Sequence, residues 1–186
     1  MSVCDWALVS DRMRRYHDEE WGTPVYENAK LFEFLVLETF QAGLSWATVL
    51  NKRDHFREAF DQFKPESIAY YDSDKIQALL HNSGIIRNRL KIHATVTNAR
   101  AYLAIHEQGE CFSDLIWQFV DGQPVCNHWE SIQQLPAISK TSQQMSRFLK
   151  QKGFRFVGPT ICYAYMQAVG LVNDHILTCF RHQELH

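Results

Sequence analysis

The stretch LKQKGFRFVGPTICYAYMQAVG, residues 149–170, decides how the chain is read. A helix running in through SQQMSRFLKQK (142–152) meets Gly153, a residue suited to a left-handed C-terminal cap. After four intervening residues comes Gly158, and Pro159 then opens a second helix that stops at Gly170. Lys150, Lys152 and Arg155 surround the turn, with Arg147 one helical turn upstream. Such a turn presents backbone N–H groups and a helix N-terminus to a phosphate, the physics of a helix–hairpin–helix that grips a nucleic-acid backbone without reading bases. An ordinary connection between two helices with a solvated basic rim has the same layout, and at this level both readings stand. The stretch GIIRNRLK (84–91) adds Arg87, Arg89 and Lys91 to a second glycine-capped turn, which favours a localised phosphate-binding face.

Outward from that pair the chain is helical signal and punctuation. KLFEFLVLETFQAG (30–43) is apolar nearly all round and ends in Gly43, so it reads as a buried helix. SWATVLNKRDHFREAFDQF (45–63) reads as one helix up to Lys64-Pro65. Ser73 is the expected cap of DKIQALLHNS, and Ser113 that of DLIWQFV. NRLKIHATVTNARAYLAIHEQ is a long amphipathic stretch closed by Gly109. Residues 122–140 read as a long surface connection, and Asp121-Gly122 is a weak hairpin candidate. The segment holding Cys4 and His17 shows little regular pattern. The expected class is all-α, about eight to ten short packed helices.

The 186 residues suit one domain, or two closely packed lobes, and nothing repeats internally. A net charge of −2 excludes an overall positive field, so contact with nucleic acid needs a local basic face. No apolar run approaches a membrane span, and the charged N-terminal segment is not expected to be a signal peptide. Five cysteines at 4, 111, 126, 162 and 179 form no disulfide framework, which fits a soluble protein of the reducing cytoplasm.

His175 and Cys179 lie four apart in NDHILTC (173–179), a spacing that stacks two metal donors on one helical face. With Cys4 and His17 they would complete a tetrahedral Zn²⁺ set drawn from both ends of the chain, closed to water and therefore structural. His182 and His186 are competing donors that composition alone leaves open. In LETFQAGLSW (37–46), Glu38 falls inside an apolar run, costly unless the carboxylate is paired or used. Trp6, Tyr16, Trp21 and Trp46 are near in sequence. Electron-rich rings beside one carboxylate suit a flat cationic ligand, although clustered aromatics are more often plain core.

CDW (4–6), YHDEEWG (16–22), LETFQAGLSWATVL (37–50), GIIRNRLKI (84–92), GFRFVGPTICYAYMQAVGLVNDH (153–175) and Cys179 together resemble the DNA-3-methyladenine glycosylase I family over essentially the whole chain. The resemblance implies a helix–hairpin–helix glycosylase fold in a single domain. It implies one structural zinc on Cys4, His17, His175 and Cys179, clasping the two terminal segments. It also implies a base pocket of Tyr16, Glu38 and Trp46 with Trp6 and Trp21 nearby, Tyr16 and Trp46 sandwiching the base and Glu38 acting on it. Gly153, Arg155 and Gly158 would hold the DNA backbone, and Leu44 is the candidate wedge. Thr160 stands where related enzymes carry a lysine nucleophile, so base release without strand cleavage is expected. Asp174 lies where many superfamily members keep a catalytic aspartate, and its role is open. The partners implied are double-stranded alkylated DNA and free 3-methyladenine, bound by a monomer. A non-catalytic zinc-stabilised nucleic-acid-binding module and a zinc hydrolase are the rival readings.

Overall fold

The chain was described from a computed structural model, which covers residues 2–186. A 3₁₀ turn at Asp5–Val9 leads into α1 (Asp11–Glu19), followed by α2 (Asn28–Gln41), α3 (Trp46–Asn51) and α4 (Arg53–Ala59). After a 3₁₀ turn at Asp61–Phe63 come α5 (Pro65–Ile68), α6 (Ser73–His81), α7 (Arg89–Glu107) and α8 (Phe112–Trp117). The set closes with α9 (Lys140–Gln151), α10 (Pro159–Ala168) and α11 (Phe180–Glu184). Two residue pairs make a parallel ladder of β1 (Val125–Cys126) on β2 (Val172–Asn173), tying the long surface connection to the chain leaving α10. The all-α expectation holds. Among the described residues no helix is long and apolar enough to cross a membrane.

Hydrophobic patterning explains the centre. From Leu31 to Phe40 all residues but Glu33 are buried, so α2 is covered on every side, by α10, α7, α3 and α8. The buried apolar side chains form one cluster running from Met13 to Val172. Gly170, at φ +74°, lets the chain leave α10 against the N-terminal segment; a Cβ there would stand 2.4 Å from the Thr23 carbonyl carbon.

Local structure departs from the sequence reading where tertiary contacts override it. The single helix expected over 45–63 breaks at Lys52 and again at Asp61, Gln62 and Phe63, which carry positive φ. Arg53 is drawn inward to Glu20 and Glu33, both at 2.8 Å, while Phe56, Phe60 and Phe63 are all buried, and those demands outweigh propensity. The cap of α6 is Asp72, whose Oδ1 accepts from Lys75 N (2.9 Å), and Ser73 lies inside the helix. Ser113 likewise lies inside α8, its N–H donating to Asn28 Oδ1 (2.8 Å). The irregular-looking N-terminal segment contains α1, capped by Ser10, which accepts from Met13 N at 3.2 Å. Its charged face, including the Arg14–Asp18 pair at 2.6 Å, hid the period.

Candidate functional site

The two ends of the chain meet. Ser2 N donates to Thr178 O (3.3 Å) and Phe180 N to Ser2 O (3.1 Å), which sets Cys4 beside the segment between β2 and α11. His17, on α1, and His175 reach the same point. One donor atom from each of Cys4, His17, His175 and Cys179 lies within 4.8 Å of all the others, and all four residues are buried. His175 Nδ1 stands 3.2 Å from His17 Nε2, 3.8 Å from Cys4 Sγ and 3.7 Å from Cys179 Sγ. His17 Nε2 is 3.4 Å from Cys179 Sγ. Bonds of about 2.0–2.3 Å to a tetrahedral ion imply donor–donor edges of roughly 3.3–3.8 Å, so the set fits Zn²⁺.

The outer partners fit as well. His17 Nδ1 contacts Asp18 Oδ1 at 2.7 Å, and His175 Nε2 contacts Trp21 O at 3.0 Å. Each contact takes one ring N–H and leaves the opposite nitrogen's lone pair facing the cluster. Gly22, at φ +78°, packs under His175, where a Cβ would come within 3.1 Å of Nε2. Burial pushes the Cys4 thiol up to about 12 and His175 down to about 3. Neutral imidazole is the ligating form, and a thiolate this deep needs a cation beside it. His182 is excluded from the set: its Nε2 engages Asn127 O at 2.8 Å, with Cys126 Sγ at 3.6 Å.

Beside the cluster lies a cavity of about 210 Å³ lined by Trp6, Met13, Tyr16, Trp21, Glu38, Gln41, Trp46, Ala164 and Gln167. It is smaller than drug-sized sites of about 300–1,000 Å³ and suits a single small heteroaromatic ring system. The structure thus brings together all five expected pocket residues. Trp6 links cavity to cluster, its ring 5.2 Å from His17 and 5.0 Å from Trp21. Glu38 is 2% exposed, and no donor reaches its Oε2. Burial pushes its carboxyl up to about 8. Tyr16 is also raised, first by burial and then by the charges of Glu38 and Glu20. Trp46 Nε1 is a second buried polar atom without a partner. A larger cleft of about 740 Å³ on the other side of Tyr16 is lined by opposed charges and lacks aromatic walls apart from Tyr16.

The Tyr16 and Trp46 rings stand 5.1 Å apart at 43°, in contact with each other. A base stacked between two rings needs them about 7 Å apart, so a sandwich here requires one ring to move. Trp46 is half-buried at the start of α3, after the loop of Gly43 (φ +78°) and exposed Leu44.

One expectation is corrected at Lys91. It does not belong to a basic rim. Its buried ammonium donates to Phe40 O (2.8 Å) and Ala42 O (2.6 Å), capping α2 and steadying the Leu44 loop. The exposed cations without an ion pair near the two turns are Arg87, Arg89, Arg147, Lys150 and Arg155, while Lys152 pairs with Glu110.

Between α9 and α10 the hairpin is rigidly built. Gly153 takes φ +96° and Phe156 φ +56°, while Phe154 and Val157 are buried. Asn98, wholly buried on α7, accepts from Arg155 N (2.7 Å) and donates to Arg155 O (3.2 Å). Ser146 Oγ donates to Val157 O at 2.6 Å. Sequence reading missed Asn98, and a lone buried amide carries no local signal that could have revealed it. Gly158 has ordinary φ (−65°), and a Cβ on it would meet nothing within 4 Å. Asp174 is fully buried and accepts four hydrogen bonds from Asn127, Trp129, Tyr163 and Gln167, so it does not face a substrate.

Comparison with known proteins agrees with this geometry. The family model for methyladenine glycosylases matches residues 6–182. The DNA-3-methyladenine glycosylase of Haemophilus influenzae is 48% identical over 176 residues, covering 95% of each chain. A crystal structure of a 3-methyladenine DNA glycosylase I superposes with a TM-score of 0.95 at 49% identity, covering 96% of this chain and 98% of that one. The 3-methyladenine DNA glycosylase I of Staphylococcus aureus, solved to explain 3-methyladenine recognition, gives a TM-score of 0.92 at 35% identity over 95% and 94% of the two chains. With a match along nearly its whole length, the chain belongs to the methyladenine glycosylase family.

Proposed function

We propose that the chain excises 3-methyladenine from alkylated double-stranded DNA by hydrolysis, as a single domain. The observation that carries this reading is the lone buried carboxylate of Glu38 in an aromatic cavity of base size. Family membership and the Staphylococcus aureus relative's recognition of 3-methyladenine support it.

Methylation at N3 makes adenine cationic, so the base leaves as a neutral purine without prior protonation. Its work is then to extract the base from the stack and hold it. Gly153, Arg155 and Gly158 hold the backbone; the open space over Gly158 is where a phosphate oxygen approaches main-chain N–H groups. Leu44, 42% exposed beside the cavity, fills the vacated stack. Trp46 swings from Tyr16 as the base enters among Trp6, Tyr16 and Trp21, and Glu38 accepts from the exocyclic amine. The bond between C1′ and N9 breaks with its electron pair going to N9. Water oxygen bonds to C1′ and its proton passes to solvent. Thr160 offers no amine to the sugar, so no imine forms and the strand stays intact.

Cys4, His17, His175 and Cys179 would hold one Zn²⁺. A closed four-donor set supplies no Lewis-acid position, only a fixed junction of the terminal segments. That argues against a zinc hydrolase. The test is incubation with methylated duplex DNA and chromatography of the released bases. Release of 3-methyladenine with no borohydride-trapped adduct is expected. DNA binding without base release would instead indicate the non-catalytic module.

A further inference from the structure

Asp174 adjoins His175 of the metal cluster yet serves a different neighbour. Its Oδ1 accepts from Asn127 Nδ2 (2.6 Å) and Trp129 Nε1 (2.8 Å), and its Oδ2 from Tyr163 Oη (2.7 Å) and Gln167 Nε2 (2.8 Å). An indole N–H is only a donor, and a carboxylate whose four acceptor positions are filled in this way only accepts. Gln167 must therefore turn its NH₂ to Asp174. Gln167 also lines the aromatic cavity with Glu38, and with Nε2 directed at Asp174, the carbonyl Oε1 at the other end of the amide is open to accept from a ligand. Gln41 lines the same cavity, but its amide is not held by such a partner and turns either way.

We propose that Asp174 is a positioning residue that fixes the Gln167 amide with its carbonyl toward the base, and that Gln167 and Glu38 together select a purine with an amine at C6 over one with an oxo group there. This rests on the base-pocket reading above. An exocyclic amine has two N–H groups, one for each acceptor. An oxo group in the same place would leave Gln167 Oε1 with no hydrogen to accept, whatever the protonation of Glu38. Sites built to hydrogen-bond a substrate group discriminate strongly against its absence, because their own polar atoms are then stranded. Asp174 thus reaches specificity without touching the sugar, unlike a charge-stabilising aspartate at the cleavage point.

The experiment is calorimetric titration of free 3-methyladenine and of 3-methylhypoxanthine, its 6-oxo counterpart. The proteins are the parent, Gln167→Met, Asp174→Asn and the double variant, with metal content and melting as controls. The parent should prefer 3-methyladenine. Gln167→Met, which keeps length but removes the acceptor, should weaken 3-methyladenine binding about tenfold and narrow the preference. Asp174→Asn should do the same on its own and nothing further in the Gln167→Met background. A preference unchanged in Gln167→Met overturns the inference, and this half-buried position is testable even if Asp174→Asn does not fold. An equal loss from Asp174→Asn in both backgrounds also overturns it, leaving Asp174 a purely structural carboxylate. A parent that releases no base and binds neither purine overturns the pocket reading itself, whereas a parent that binds with indifferent Gln167 variants overturns only this step.

Discussion

Replacing Glu38 by glutamine should stabilise the ligand-free protein, by an amount set by pH. The carboxylate sits in a cavity where nothing donates to Oε2, and burial moves its ionisation from the ordinary 4.5 up to about 8. In the unfolded chain the group ionises near 4.5, so between those values the folded state retains a proton that the unfolded state releases. Stability linked to this group is fully present below pH 4.5 and is lost as pH rises through about 8. At about 1.36 kcal/mol per unit, the loss is small at pH 5 and on the order of 3 kcal/mol at pH 7. Glutamine does not titrate. The difference in unfolding free energy between Glu38→Gln and the parent should therefore open from under about 1 kcal/mol at pH 5 to about 3 kcal/mol at pH 7 and flatten above pH 8. Urea unfolding of both proteins at five pH values measures it, and pH effects on the metal cluster cancel in the difference. A gap that does not change with pH would refute burial as the source. The same variant should bind 3-methyladenine roughly ten- to a hundredfold more weakly, because a charge-assisted hydrogen bond contributes about 1.5–3 kcal/mol. More stable and less competent is the signature of a group kept in an unfavourable place for use.

Four further outcomes are expected. Cys179→Ala should lower bound zinc and thermal stability together, read by elemental analysis and calorimetry; full retention of both would sink the clasp. Gly158→Ala should fold as well as the parent, since its φ is ordinary and its Cβ meets open space, while losing affinity for duplex DNA; unchanged DNA binding would remove the hairpin from the interface. Asn98→Ala should cost about 1–3 kcal/mol in unfolding free energy and weaken DNA binding through a loosened hairpin, since it strands Arg155 N and O. Titration with 3-methyladenine should change Trp46 fluorescence as the ring leaves Tyr16, an effect absent in Trp46→Phe.

What could be seen in the sequence was whatever a local pattern encodes. Gly153, Gly158 and Pro159 mark a hairpin because backbone conformation is written in residue type. Glu38 stood out because a carboxylate in an apolar run contradicts its surroundings. The union of Cys4 and His17 with His175 and Cys179 was only one combination among several from composition, and the family resemblance singled it out. The rest depends on distance. His182 looked as eligible as His175 until Asn127, far away in sequence, took its Nε2. Lys91 looked like a surface cation until the end of α2 arrived above it. Asn98 and Gln167 gave no signal because their roles are set by partners 57 and 7 residues away.

These contacts share a geometry that explains what a buried four-donor cluster does in this fold. The cavity walls come from parts of the chain that have no sequence reason to stay together: Trp6 and Tyr16 before α2, Glu38 within it, Trp46 after it and Gln167 on α10. Buried apolar contact holds α2 against α10. It reaches the terminal segment through Met13, Tyr16 and the partly buried Trp6, while the 3₁₀ turn itself buries only Ala7. Cys4 and His17 bracket that segment, while His175 follows Asp174, the residue that holds Gln167. Joining the four donors at one point therefore fixes the Trp6 and Tyr16 walls relative to the Gln167 wall. One side of the pocket is tied to the cluster; the other, Trp46 and the Leu44 loop, is anchored by Lys91 on Ala42 O and by Leu44 N donating to Gln41 O (2.7 Å). The two sides of one cavity are thus anchored separately, and loss of the metal should blur selection among bases before it abolishes binding to DNA.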